Sequence, residues 1–275
     1  MKKKIVSIMV FTLAAALAAF ALVGCGGNNA SSAATAAADF DGNFVVGFDQ
    51  EYPPYGFVGE DGEFTGFDLE LAQEVCARNG WTYSAVPINW DTKLEELNAG
   101  AFVCIWNGFT MEGREADYAF SQPYMDNGQV IMVKADSDID ALADLADKTV
   151  GTQVDSAAQE VLEGDQADLA ATFAALETRA DYNIAATELE AGALDALACD
   201  LSIAAYQMSQ NPGAFKVLDE QLSAEHYAVG FKLGNDALAD QVTTTLQEMA
   251  ADGTVEALCN KYAEYGISFD NWVLK

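Results

Sequence analysis

From residue 43 onward the hydrophobic pattern switches back and forth between two periods. The stretch "NFVVGFD" alternates and predicts a strand. After it, "PPYGFVGEDGEFTG" predicts a hairpin turning at Asp61-Gly62. "FDLELAQEVCARNG" sets Leu71, Ala72, Val75 and Cys76 on one helical face, with Gly80 placed to stop the helix. "WTYSAVPI" predicts a strand, "DTKLEELNAG" a helix with Asp91 as N-cap, and "FVCIWNG" and "GQVIMVK" two buried strands. A second series begins near residue 136. There "LADLADKTVGTQ" is a helix end and a strand, and "DSAAQEVLEG" starts a helix. "DYNIAATELEAG" is a helix between Asp181 as N-cap and Gly192 as terminator, and "ALDALACD" is a short apolar strand. "FKVLD" and "HYAVGFK" are strands, and "DALADQVTTTLQEMAADG" and "VEALCNKYAEYG" are closing helices. Strands alternating with helices predict an α/β chain with mainly parallel sheets flanked by helices. No internal repeat of fixed period is present.

Composition sharpens this picture. The 275 residues suffice for one large domain or two small ones, and at 51% hydrophobic and 11% aromatic they can fill a core. With 13 Lys+Arg against 43 Asp+Glu, the formal net charge is −30. No basic patch is available to displace counterions from phosphates, which excludes nucleic acid and anionic membrane surfaces as partners. The N-terminus differs from the rest. "MKKK" is followed by an apolar run from Ile5 to Val23 and then by "LVGC". Aliphatic, small, small, Cys resembles the bacterial lipobox, which implies cleavage before Cys25 and acylation of its thiol. Residues 1–24 would then be a signal peptide, and the polar stretch 25–39, "CGGNNASSAATAAAD", a flexible tether. The other reading of the run is a transmembrane anchor. The remaining cysteines, Cys76, Cys104, Cys199 and Cys259, show no CxxC spacing and no neighbouring histidine, so no metal site is expected, and four buried free thiols are.

In sheets of this kind ligands sit at the carboxyl ends of strands, beside helix N-termini. Four stretches carry chemistry there. In "CIWNGFTMEGRE" a strand would end near Trp106, Asn107 and Gly108 would turn the chain and expose N–H groups, and Thr110 and Arg114 would add a hydroxyl and a guanidinium. Such donors converge well on a carboxylate; the competing reading pairs Arg114 with Glu112 or Glu115. In "GTQVDSAAQE" Ser156 opens a helix, with Gln159 three residues on as in a capping box. That start, at Ser156 and Ala157, is either an anion site or ordinary capping. In "DALACDLSIAAY" Asp200 ends an apolar strand with no basic residue within fifteen positions, so it either meets a ligand ammonium or caps the next helix. In "GFDQEYPPYGF" Asp49 and Tyr52 offer an acid and an aromatic wall, or a stabilised turn.

Taken in order, "VGFDQEYPPYGF", "GEFTGFDLELAQEV", "IWNGFTMEGRE", "YAFSQPYMDNGQVIMVK", "VGTQVDSAA" and "ALDALACD" resemble the extracytoplasmic solute-binding protein family 3 over roughly residues 42–265. These are the polar-amino-acid receptors of ABC importers. The resemblance implies a two-lobed type II periplasmic-binding-protein fold. One lobe would comprise residues 40–131 plus 228–275 and the other 135–225, joined by a two-segment hinge near Val130–Ala135 and Glu225–Lys232. It implies that Arg114 and the Thr110 region hold an α-carboxylate, that Ser156–Ala157 adds donors, and that Asp200 takes the α-ammonium. Asp49, Tyr52 and Trp106 would line the side-chain pocket. It further implies a monomeric, cofactor-free receptor, lipid-anchored outside the membrane, delivering glutamine, cystine or a basic amino acid to a permease.

Some positions depart from the family pattern. Val103 stands where Asp is common, Asp155-Ser156-Ala157 replaces a Gly-Ser-Thr-like trio, and the Thr-to-Arg interval is one residue shorter. Asp155 would bring a negative charge near the proposed carboxylate site. An enzyme is the main other class, since some dehydratases and peptidoglycan lyases share the fold; no tuned acid–base pair is legible. The single histidine, His226, reads as structural.

Overall fold

A computed structural model describes residues 40–275. Cys25 and the expected signal segment and tether, residues 1–39, lie outside the described residues. Strand β1 (Asn43–Phe48) is followed by a small hairpin sheet of β2 (Glu51–Tyr52), β3 (Gly56–Val58) and β4 (Phe64–Thr65). Next come α1 (Phe67–Asn79), β5 (Thr82–Pro87), α2 (Lys93–Ala99), β6 (Cys104–Ile105) and β7 (Tyr118–Phe120). The long strand β8 (Met125–Lys134) leads into β9 (Thr149–Gln153), α3 (Ala157–Glu163), α4 (Ala167–Ala170), β10 (Ala175–Arg179), α5 (Tyr182–Ala191), β11 (Ala196–Asp200) and α6 (Leu201–Gln210). The chain ends with β12 (Phe215–Tyr227), β13 (Gly230–Lys232), α7 (Asp236–Ala251) and α8 (Thr254–Lys261).

Two five-stranded sheets result, ordered β5-β1-β6-β13-β7 and β10-β9-β11-β8-β12. Both are mixed. The parallel pairs are β1 with β5 and β6, and β9 with β10 and β11; the antiparallel pairs all involve β8, β12 or β13. The expectation of mainly parallel sheets therefore holds only for the β-α-β units, because these three strands flank the passages between sheets. Two segments make those passages. Residues 121–124 link β7 to β8, residues 228–229 link β12 to β13, and they are tied by Ser121 N–H to Val229 O at 3.0 Å and Tyr124 N–H to Tyr227 O at 2.9 Å. Val130–Lys134, read from the sequence as a passage, instead lies inside β8. Its Val130, Ile131 and Met132 pair with β11 on one side, and Val130, Met132, Val133 and Lys134 pair with β12 on the other.

Period-two patterning explains the core. Along β11, Leu197 and Cys199 face one apolar cluster while Ala196 and Ala198 face another. Likewise Val130 and Met132 of β8 join the first cluster, and Ile131 and Val133 the second. Strands buried on both faces must be apolar throughout, which is why they read as unbroken hydrophobic runs. Cys76, Cys104, Cys199 and Cys259 are buried free thiols in these clusters. Burial pushes the thiols of Cys76 and Cys259 up to about 12.

Helix ends follow their signals in most places. Gly80 closes α1 and Gly192 closes α5 in the left-handed region, at φ 69° and 77°. Asp181 caps α5 by accepting from Ile184 N–H at 2.8 Å. Asp91 does not cap α2. It lies inside a 3₁₀ turn, Trp90–Thr92, that starts the helical path early as Trp90 is buried edge-on against Phe109. Among the described residues no helix is long and apolar enough to cross a membrane.

Candidate functional site

Where β6 ends, the chain turns at Asn107 and Gly108. Gly108 has φ +55°, and a Cβ there would stand 3.0 Å from the Tyr52 ring and 3.1 Å from the Tyr227 ring, so the position requires glycine. Its N–H is not open: it donates to Asp68 Oδ2 at 2.6 Å, and Tyr124 OH donates to the same oxygen at 2.7 Å. Trp106 and Asn107 are fully buried and do not line the cavity described below. Trp106 packs near Tyr124 as part of the core, because β6 ends at Ile105 and the following residue still points inward. Another aromatic, Trp90, lines that cavity instead.

Thr110 and Arg114 follow on the same loop. Arg114 is 5% exposed, with its guanidinium 4.9 Å from the Phe109 ring centroid and its Nη1 donating to Thr110 O at 3.3 Å. Its acidic partner is neither Glu112 nor Glu115. Nε and Nη2 both donate to Glu160 Oε1 on α3, at 3.1 and 2.8 Å.

The second sheet supplies the opposing wall. Ser156 accepts from Gln159 N–H at 3.2 Å and caps α3, and the Gln159 side chain takes the N–H of Asp155 at 2.8 Å. Asp155 itself pairs with Lys93, a buried lysine that also donates to Asp155 O at 3.1 Å. The negative charge that Asp155 brings is therefore met by a cation of the other sheet's flank. Asp200 does not cap α6 with its side chain. Its Oδ1 accepts from Asn127 Nδ2 at 2.9 Å, Gln129 Nε2 at 2.8 Å and Tyr227 OH at 3.0 Å. The Tyr182 hydroxyl, from the first residue of α5, is buried without a partner.

Tyr52, Gly108, Thr110, Arg114, Ser156, Ala157 and Asp200 line one small cavity between the two sheets, joined by Trp90, Gln153 and Tyr182, which sequence reasoning missed. Trp90 and Tyr182 follow strand ends at helix starts, and that position was the available signal. Asp49 lies beside this cavity rather than in it. It accepts from Glu51 N–H at 2.9 Å and from Gln153 Nε2 at 2.7 Å, and burial raises its pKa. It lines an adjoining open groove of about 610 Å³ together with Glu51, Asp91, Glu96 and Asp181, and no Lys or Arg lines that groove. His226 stands apart at the passage between sheets, with Nδ1 2.7 Å from Glu112 Oε1 and Nε2 3.2 Å from Asp126 Oδ1. The histidine that reads as structural from the sequence thus stands between two carboxylates.

The chain is similar to known proteins over nearly all the described residues. It is 30% identical over 224 residues to the L-cystine-binding protein TcyJ of Escherichia coli strain K12, covering 80% of this chain and 82% of that one. It is 27% identical to the L-cystine-binding protein TcyA of Bacillus subtilis, covering 95% and 97%. Among solved structures, a substrate-binding protein of an ABC uptake transporter from Streptococcus pneumoniae with bound histidine superposes with a TM-score of 0.79 at 29% identity, over 83% of this chain and 95% of that one. The shared architecture is the two-lobed type II periplasmic-binding-protein fold. Residues 44–265 match the family described as bacterial extracellular solute-binding proteins, family 3, and with that match over most of its length the chain belongs to this family.

Proposed function

We propose that the chain is the receptor of an ABC importer and binds an L-amino acid as a zwitterion, with Arg114 on the α-carboxylate and Asp200 on the α-ammonium. The observation that carries this reading is that these two residues, of opposite charge type, extend from different sheets and line the same cavity. Glu160 uses the Nε–Nη2 edge of the guanidinium, and the carbonyls of Asp155 and Thr110 take one further N–H each from Nη2 and Nη1, so a carboxylate would meet the remaining N–H of Nη1 in a charge-assisted bond. Tyr52 and Trp90 supply apolar walls, and the unpartnered Tyr182 hydroxyl supplies a polar contact. The acidic groove beyond Asp49 favours a polar or cationic side chain, such as glutamine, cystine or a basic amino acid, over an anionic one. The lobes are taken as residues 40–120 plus 230–275 and residues 125–227, moving about the two passages. Lipid attachment at Cys25 would hold the receptor, a monomer, outside the membrane beside its permease.

The test is a thermal-shift screen against the twenty amino acids with cystine and ornithine. A ligand at ~100 times its Kd adds about 2.7 kcal/mol of stability, and the largest shift is expected from a polar or basic L-amino acid. A screen in which none of them raises Tm overturns the reading. So does turnover of a prephenate-like acid, because the proposed role is capture without chemistry.

A further inference from the structure

Asp200 has a second carboxyl group behind it. Asn127 Nδ2 lies 2.9 Å from Asp200 Oδ1 and 2.7 Å from Glu225 Oε1, and Gln129 Nε2 lies 2.8 Å from each of the same two oxygens. Glu225 Oε1 also accepts from Thr110 Oγ1 at 2.9 Å. The two acids are 4% and 3% exposed. Two carboxyl oxygens that share the same pair of amide donors are close neighbours in a dry site. Full ionisation of both is costly there, as in other paired carboxyls.

No cation among the described residues offsets the pair. Facing Glu225 are Asp200 from the end of β11, Tyr227 from its own strand β12, Asn127 and Gln129 from β8, and Thr110 from the loop after β6. Arg114 binds the carbonyl of Thr110 and Glu160, and His226 turns to Glu112 and Asp126. Asp200 lines the cavity and Glu225 does not, so Glu225 acts on a ligand through Asp200 and the shared amides.

We propose that Glu225 is a positioning residue that holds a proton in the ligand-free protein and releases it to solvent when a ligand ammonium docks on Asp200. Amino-acid capture is then coupled to proton release. The charge balance is simple. Before docking the carboxyl pair carries one proton and one negative charge; after docking it carries two negative charges beside one ammonium, so the net charge of the site stays the same. Burial and the Asp200 carboxylate push Glu225 up to about 8, which leaves the proton in place at neutral pH until the ammonium arrives. The idea rests on the receptor reading only in taking Asp200 as the ammonium site.

Calorimetric titration of the purified chain with L-arginine, L-glutamine and L-cystine tests it; the arginine and glutamine side chains do not titrate near neutrality, and the cystine series is read below the range in which its second ammonium titrates. In buffers of different ionisation heat, the apparent binding heat is expected to vary linearly with a slope corresponding to release of a fraction of a proton. Affinity is expected to rise with pH from mildly acid to mildly alkaline conditions, by up to about tenfold per pH unit. Glu225→Gln should still bind but show neither release nor that pH dependence. Binding by wild type with no buffer-dependent heat overturns the inference alone, and so does release that persists in Glu225→Gln. Should the variant fail to fold, the wild-type buffer series decides by itself. Absence of binding by all three probes and by every compound of the thermal screen overturns the receptor reading and this inference together.

Discussion

Arg114 is held by contacts that a ligand would leave standing. Its Nη1 rests on Thr110 O, its face lies over Phe109, and Glu160, with a side chain 42% exposed, covers one edge. Replacing it with alanine leaves Glu160 free to turn to water, so the fold should survive. A buried ligand carboxylate without its charge partner loses about 3–5 kcal/mol, which moves a ~1 μM site beyond practical detection. Calorimetry on Arg114→Ala is expected to show no binding and a Tm near that of wild type; a loss of less than about tenfold would make Arg114 a bystander. Residues of this kind were legible because they stand at strand ends with unusual chemistry for their surroundings: Arg114, Asp200 and Ser156 each broke an apolar or acidic context. Trp106 misled because an aromatic at a strand end looks like a pocket wall, whereas β6 ends one residue sooner and turns it into the core. The Lys93–Asp155 and Arg114–Glu160 pairs join positions far apart in the sequence, and no local pattern announces such partners.

At the scale of elements, the first turn of α1 pins the site loop. Asp68 is fully buried and its Oδ2 holds Gly108 N–H and Tyr124 OH. The helix itself was plain in the sequence. The burial of its acid was also written there, since Asp68, Ala72 and Val75 fall at i, i+4 and i+7 on the apolar face, but no intrahelical feature shows what such an acid binds. Burial raises Asp68 from 3.8 to about 7. Between those values the folded state binds a proton that the unfolded chain has lost, so stability falls as pH rises through the window. Glu225, raised from 4.5 to about 8, acts in the same direction. Urea denaturation is therefore expected to give a lower midpoint at mildly alkaline than at mildly acid pH, and Asp68→Asn should flatten the slope up to neutrality. A wild-type midpoint that climbs across that range would show that Asp68 is ionised in the folded protein.

For the molecule as a whole, the alternation of strands and helices announced an α/β fold, while the paths between the sheets stayed hidden. Residues 130–133 of β8 are apolar on both faces whether the strand bridges two sheets or belongs to one, so the passages at residues 121–124 and 228–229 emerge only from the pairing of β8 with β11 and β12. Those two short passages are what a hinge needs, and the contacts across the cleft are what a closed state needs. Gln153 donates to Asp49 at 2.7 Å, Lys93 meets Asp155, and Asn183 donates to Glu51 O at 3.1 Å. Of these only the Asn183 contact is exposed and worth little, while Gln153, Asp49 and Lys93 are buried, so these contacts hold part of the closure and a ligand adds to it. On the proposed reading a zwitterion would add a bridge from Arg114 to Asp200 that exists only when the halves meet, and a ligand shifts such a balance only by its differential affinity for the closed form. An amine that lacks the carboxylate, or an acid that lacks the ammonium, has one end of that bridge and should bind weakly and close the protein poorly. Small-angle scattering on residues 40–275 checks this with the best amino acid of the thermal screen, its decarboxylated amine and its deaminated acid. Only the amino acid is expected to compact the protein fully; equal compaction by all three at saturation would mean that closure does not depend on bridging the two charges.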